Sequence, residues 1–208
     1  MGKKVNDIIS LEWFNYMNHL SGYDKVINYS WKKSTISKLE RKEIKATLQE
    51  IDDLTGISFV KTKKKNDDLR FIHTKKIDGL TGSELDHNHN LIDDAVVGRA
   101  SALKNNIKIF IKDDDDTVSL LEKYVLRHEV SHALGLKHPH DHGPHPDFTV
   151  SDTVMSYNVF ENYGDVRFFK YYGFTDLDKQ ALKTLWGLNP ESFFVDSVII
   201  PQDIVEIL

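Results

Sequence analysis

The chain predicts a single α+β domain, and three observations carry that expectation. Segments with helical spacing lie near 37–55, where a helix-starting signal precedes the spacing, from about 117 and at 175–186. Between them lie short runs rich in β-branched and aromatic residues, near 57–61, 68–73 and 106–112, which read as strands. At 208 residues the chain is long enough for one domain with a sizeable core, or for two lobes around a cleft.

Taken in order, residues 1–23 are aromatic-rich and fit either a short helix over the core or the remnant of a pro-segment. Ser37-Lys38-Leu39-Glu40 has the form of a capping box, in which the serine caps the helix and the glutamate reaches back to it. Ile44, Leu48 and Ile51 then keep helical spacing until Gly56. Residues 76–95 are rich in glycine, asparagine and aspartate and predict a long loop. From Asn106 to Lys112 the chain alternates around Ile107, Ile109 and Ile111, a strand with one buried face. A helix starting near Thr117 places Leu121, Val125, His128 and His132 on one stripe. Pro139 to Phe148 is irregular, and a last helix from about Thr175 to Trp186 has Leu177, Ala181 and Leu185 in register. There is no internal repeat.

The formal net charge is −5 and there is no sustained basic face, so no nucleic-acid partner is expected. Lys61–Lys65 and Asp113–Asp116 are local charge runs that read as solvated loops. The acidic run could contribute to a Ca²⁺ site, but it lacks the glycine and spacing of an EF-hand loop. With no cysteine, there is no disulfide and no thiolate to hold a metal latent. No stretch approaches the ~18 apolar residues of a membrane span. Met1-Gly2-Lys3-Lys4 has no apolar region behind it, so no N-terminal signal peptide is expected.

The chemistry is concentrated in His128-Glu129-Val130-Ser131-His132-Ala133-Leu134-Gly135-Leu136-Lys137-His138, which reads H-E-x-x-H-x-x-G-x-x-H. Four-residue spacing puts His128 and His132 on one helix face, one turn apart. Gly135 can leave the helix through positive φ, letting the chain turn back and deliver His138 as a third ligand. Three imidazoles leave a tetrahedral Zn²⁺ one open position, the pattern of a catalytic site. Glu129 can reach a zinc-activated water without being a ligand, and so serves as general base and then acid. The competing reading is a buried helix carrying satisfied histidines, and five fixed positions at this spacing argue against it.

Downstream, Ser151-Asp152-Thr153-Val154-Met155-Ser156-Tyr157 completes a resemblance to the metzincin zinc endopeptidases, and Val-Met-Ser-Tyr is most similar to their serralysin branch. The resemblance implies that Met155 is the Met-turn residue beneath the histidines. It also implies that Tyr157 ligates zinc or stabilises the transition state. Otherwise these two are a core methionine and a half-buried tyrosine. Val26–Trp31 resembles the family's first strand, and residues 24–190 then form the catalytic domain, with 1–23 an N-terminal extension or pro-segment. The implied architecture has two lobes. A twisted mixed sheet and two long helices form the upper one, and the Met-turn and final helix the irregular lower one. The calcium-binding repeats usual in serralysins do not appear, and Ca²⁺ is left without support.

The resemblance implies a zinc metalloendopeptidase with one catalytic Zn²⁺ and a protein or peptide substrate. That substrate would lie extended against an edge strand near 95–101, with the loop around 158–165 walling a side-chain pocket. A narrowly targeted, toxin-like branch is a rival among enzymes. A catalytically silent or latent zinc-binding module is the rival from another class, and the intact Glu129 argues against silence. His140, His142 and His145 could replace His138, which alone has the family spacing; Asp86-His87-Asn88-His89 reads as a solvated loop or a second metal site; His19 and His73 have no supporting spacing. Phe168, Phe169, Tyr171 and Tyr172 form a lower-lobe core or an exposed patch. Residues 191–208 form a tail. Its Asp203–Leu208 resembles a serralysin export signal, implying a secreted bacterial protein, or reads as an ordinary terminal edge strand. A monomer is the expected state.

Overall fold

The computed structural model describes residues 3–63, 66–74, 77, 96–112, 118–158, 173–187, 201 and 204–207. It is an α+β domain built on a six-stranded mixed sheet. The strands are β1 (Val26–Trp31), β2 (Ser58–Lys61), β3 (Leu69–Thr74), β4 (Val96–Leu103), β5 (Asn106–Lys112) and β6 (Ile204–Ile207), in the order β2-β1-β3-β5-β4-β6. The first four in that order run parallel, while β4 is antiparallel to both β5 and β6. Leu69, Phe71, Ile107, Ile109 and Ile111 are buried and alternate with half-exposed neighbours, so one face of the sheet carries the core.

The helices are α1 (Leu11–Leu20), α2 (Lys38–Thr55), α3 (Leu120–Ala133) and α4 (Asp176–Gly187). The capping box at Ser37 and Glu40 forms as the sequence predicts, and Ile44, Leu48 and Ile51 are buried. Gly56, at φ 73°, ends α2 in the left-handed region. The zinc-motif helix begins three residues later than Thr117. Ser119 accepts from the Glu122 N–H, and Glu122 accepts from the Ser119 N–H, so a second capping box fixes the start of α3. α3 packs beneath β4 and β5. It is held to α2 by Arg127, whose guanidinium lies 3.1 Å from Glu43 and 3.3 Å from Glu50.

The N-terminal segment belongs to the same core. Trp13, Phe14, Tyr16 and Met17 of α1 are buried, and Phe14 meets Trp186 of α4 edge-on at 5.2 Å. The residues just before α1 pair with the chain just after α3. Ser10 N–H donates to Gly135 C=O at 2.7 Å, Lys137 N–H to Ile8 C=O at 2.8 Å, and Ile9 bridges Leu136. Of the remaining histidines, His73 is buried against Glu40 and His19 packs edge-on against Tyr23.

Most of the loop expected at 76–95, with Asp86–His89, lies outside the described residues, as do Asp113–Asp116, Phe168, Phe169, Tyr171, Tyr172 and nearly all of 158–165 and 191–203. No described helix is long and apolar enough to cross a membrane. The strand expected near 95–101 is present as β4, but its outer edge is paired with β6 rather than open. Truncating the aromatic wedge in Phe14→Ala is expected to cost about 3–5 kcal/mol. The shift of the urea unfolding midpoint measures it.

Candidate metal centre

His128 and His132 project from the last two turns of α3, where every residue from Val125 to Ala133 is buried. Leu134 ends the helix, and Gly135 follows at φ 102°, a left-handed conformation that strains a residue carrying a Cβ. There is no room for one either, since a Cβ there would stand 2.7 Å from that of Phe14. The exit turn is clamped at each successive carbonyl. Trp186 Nε1 donates to Leu134 C=O at 2.9 Å, Ser10 N–H to Gly135 C=O, and His132 Nδ1 to Leu136 C=O at 2.9 Å. His138 therefore leaves the turn in a fixed direction.

The three Nε2 atoms converge. They are 3.0 Å apart for His128 and His132, 3.2 Å for His132 and His138, and 3.3 Å for His128 and His138. A tetrahedral Zn²⁺ with Zn–N bonds near 2.0–2.1 Å separates its nitrogen ligands by about 3.3 Å, so the triangle fits that ion. The tautomers also fit. His128 Nδ1 faces Val154 C=O at 2.5 Å and His132 Nδ1 faces Leu136 C=O. A carbonyl can only accept, so each Nδ1 carries the proton and each Nε2 keeps its lone pair for a metal. Among the described residues this trio is the one group of three or more that could hold a metal ion. His140 and His145 pair with each other instead, ring centroids 4.7 Å apart, so neither they nor His142 joins the site in place of His138.

Glu129, next to His128 on α3, is fully buried. Gly98 of β4 lies directly over it. A Cβ at Gly98 would stand 2.5 Å from Val125 Cγ1 and closer still to Glu129 Oε1. The absence of a side chain at Gly98 thus lets the strand close over the carboxylate. The Tyr157 ring lies against two of the histidines, 4.5 Å from His138 and 5.8 Å from His128 between centroids. Gly143 makes space for that ring, and its carbonyl accepts from Tyr157 N–H at 2.9 Å.

Met155 is fully buried in the turn whose preceding residue, Val154, supplies the carbonyl that orients His128. That turn is fixed from two sides. Tyr124 of α3 donates its hydroxyl to Val154 C=O at 2.8 Å and Ser156 C=O at 2.7 Å. Asp178 of α4, fully buried, accepts from Thr153 Oγ1 at 2.5 Å, Val154 N–H at 3.0 Å, Thr175 N–H at 2.9 Å and Thr175 Oγ1 at 2.8 Å. Burial pushes the Asp178 carboxyl above the ordinary aspartate value, and those hydrogen bonds pull it partly back. Sequence reasoning missed Gly98, Gly143, Tyr124 and Asp178. The one available signal was Asp178, an acidic residue flanked by the apolar Leu177 and Ala181 in a helical register.

Two substitutions test this support. Asp178→Ala leaves buried donors unpaired at about 1–3 kcal/mol each. It should lower the urea midpoint and raise the zinc dissociation constant about 10–100-fold, read by chelator competition. Gly98→Ala should displace Glu129 and lower turnover while the bound zinc stays at one per chain, read by elemental analysis beside a peptide-cleavage assay.

Comparison with family models agrees with this site. The matrixin model of peptidase family M10 matches residues 22–152. Two solved structures of myroilysin align at 16% identity. One alignment covers 79% of this chain and 93% of that one at a TM-score of 0.48, the other 78% and 83% at 0.47. Comparison with curated proteins finds no match. With the family model spanning more than half its length and the three histidines converging as the motif requires, the chain belongs to the matrixin family of zinc-dependent metallopeptidases.

Proposed function

We propose that this protein is an endopeptidase that hydrolyses internal peptide bonds at the His128–His132–His138 centre. The observation that carries the reading is the triangle of Nε2 atoms, with sides of 3.0–3.3 Å, beside a buried glutamate on the same helix. The three histidines would hold Zn²⁺. Bound there, zinc supplies Lewis acidity that polarises a peptide carbonyl and makes water easier to deprotonate.

The remaining work falls to the chain. Glu129 takes a proton from the attacking water and returns it to the leaving amine. Its buried position under Gly98 strengthens the electrostatic part of both transfers. Tyr157, seated against His138 and His128, can donate its hydroxyl to the oxyanion that forms on the attacked carbonyl. Val154-Met155-Ser156-Tyr157 supports a serralysin-like version of this chemistry. An extended substrate would pair with β4, the strand that passes over Glu129, in place of β6, where main-chain hydrogen bonds give affinity without demanding particular side chains. Action outside the cell belongs to the same proposal, supported by the likeness of Asp203–Leu208 to an export signal.

The test measures zinc content and casein cleavage in the wild type, Glu129→Ala and Tyr157→Phe. All three should hold one zinc. Cleavage should fall by up to about 10⁴ without the Glu129 carboxylate and by about 10² without the Tyr157 hydroxyl. One zinc per chain with no cleavage by any of them would instead favour a silent or latent zinc-binding module.

A further inference from the structure

A strand presents two rows of backbone N–H and C=O groups, one along each edge. For β4 the inner row is taken by β5, through partners such as Ala100 with Ile109 and Arg99 with Phe110. The outer row is taken by β6, with Val96 opposite Ile207, Gly98 opposite Glu206, Arg99 opposite Val205 and Ala100 opposite Ile204. One of those partners, Gly98, is the residue that lies over Glu129. The segment Ile204–Ile207 therefore runs along the part of β4 that an extended peptide would need in order to reach the metal centre. It does so in extended form, paired strand to strand, as a peptide substrate would.

We infer that Ile204–Ile207 is an intramolecular occupant of the peptide-docking edge, and that a substrate must displace it before its scissile bond can approach His128, His132, His138 and Glu129. The inference rests on the endopeptidase reading above. The contact is built to be displaced. Among the described residues β6 has four, and its register with β4 shifts between Val96 and Gly98, so the described ladder is short and interrupted. Covalent attachment compensates, because a tethered segment is present at an effective concentration of roughly millimolar. The result is a threshold. Chains that pair with β4 over more residues than β6, or that fill side-chain pockets as well, win the edge, and weakly matching chains do not. Such an occupant raises KM and leaves kcat alone, since a substrate that has displaced it meets the same catalytic groups.

A reversible lock tests this in one folded molecule. The chain has no cysteine, so Arg99→Cys with Val205→Cys introduces a single pair, at positions directly opposite in the sheet. Opposed antiparallel residues have Cα atoms about 4.5–5.5 Å apart, within the range a disulfide spans. With zinc bound, the oxidised form should cleave casein at least about tenfold more slowly than the reduced form, with full recovery on reduction. A second variant, Val205→Pro with Glu206→Pro, removes at least one N–H facing β4, because successive N–H groups point to opposite edges. It should lower KM several-fold at unchanged kcat, and speed hydrogen exchange at Gly98–Ala100. Equal cleavage by the oxidised and reduced forms, or an unchanged KM in the proline variant, overturns the inference. If neither form cleaves, the endopeptidase reading has failed, and capture of fluorescein-labelled casein by the same zinc-loaded protein decides the occupant separately. Capture in the reduced form alone sustains occupancy of the edge. Equal capture, or none in either form, overturns it.

Discussion

The bond between His128 Nδ1 and the Val154 carbonyl is the contact on which the site depends. It sets the tautomer of the first histidine and ties the end of α3 to a turn that follows 26 residues later. Everything around that turn holds the carbonyl still. Tyr124 reaches it from α3, and Asp178 fixes the N–H of the same residue from α4. Thr153 links the two ends of this arrangement, giving its hydroxyl to Asp178 and accepting from Met155 N–H. The helix that carries the ligands, the turn beneath them and the final helix thus form one hydrogen-bonded body.

The second and third histidines are placed by a different device. His138 comes from an irregular segment, which by itself fixes nothing. The three carbonyls of Leu134, Gly135 and Leu136 are each taken by a separate part of the molecule: α4, the stretch before α1, and His132 itself. Phe14 fills the space that the missing Gly135 side chain leaves. Residues far apart in the chain therefore converge on one exit turn, and the aromatic N-terminal segment takes part in shaping the metal site.

The features legible in the sequence are those whose cause is local. The capping box at Ser37 and the alternation around Ile107, Ile109 and Ile111 state their elements outright, because both signals lie within one segment. His128, His132 and His138 are legible for the same reason: a helix turn and a glycine exit are short-range geometry. The start of α3 at Leu120, a few residues after Thr117, is set by the capping box that Ser119 closes with the glutamate three residues later. Gly98 gives no sequence signal, since its meaning lies in a carboxylate 31 positions away that it must not touch. Asp178 lies among apolar residues of its helix, but the donors of Thr153, Val154 and Thr175 that make its burial tolerable come partly from a turn more than twenty residues earlier, which no local pattern shows. The pairing of β6 with β4 is likewise a matter of topology, beyond the reach of any local pattern.

The convergence of three imidazole nitrogens within 3.3 Å of one another has a thermodynamic side. Lone pairs aimed at a common point in a largely buried space repel one another unless a cation lies between them. A cation at that point turns the opposition into attraction, and does so only in the folded chain, because an unfolded one keeps its histidines apart. Metal affinity and resistance to unfolding are then two readings of one free energy, growing together with the free metal concentration. Where zinc is scarce, the folded chain would be softer and open earlier to proteolysis.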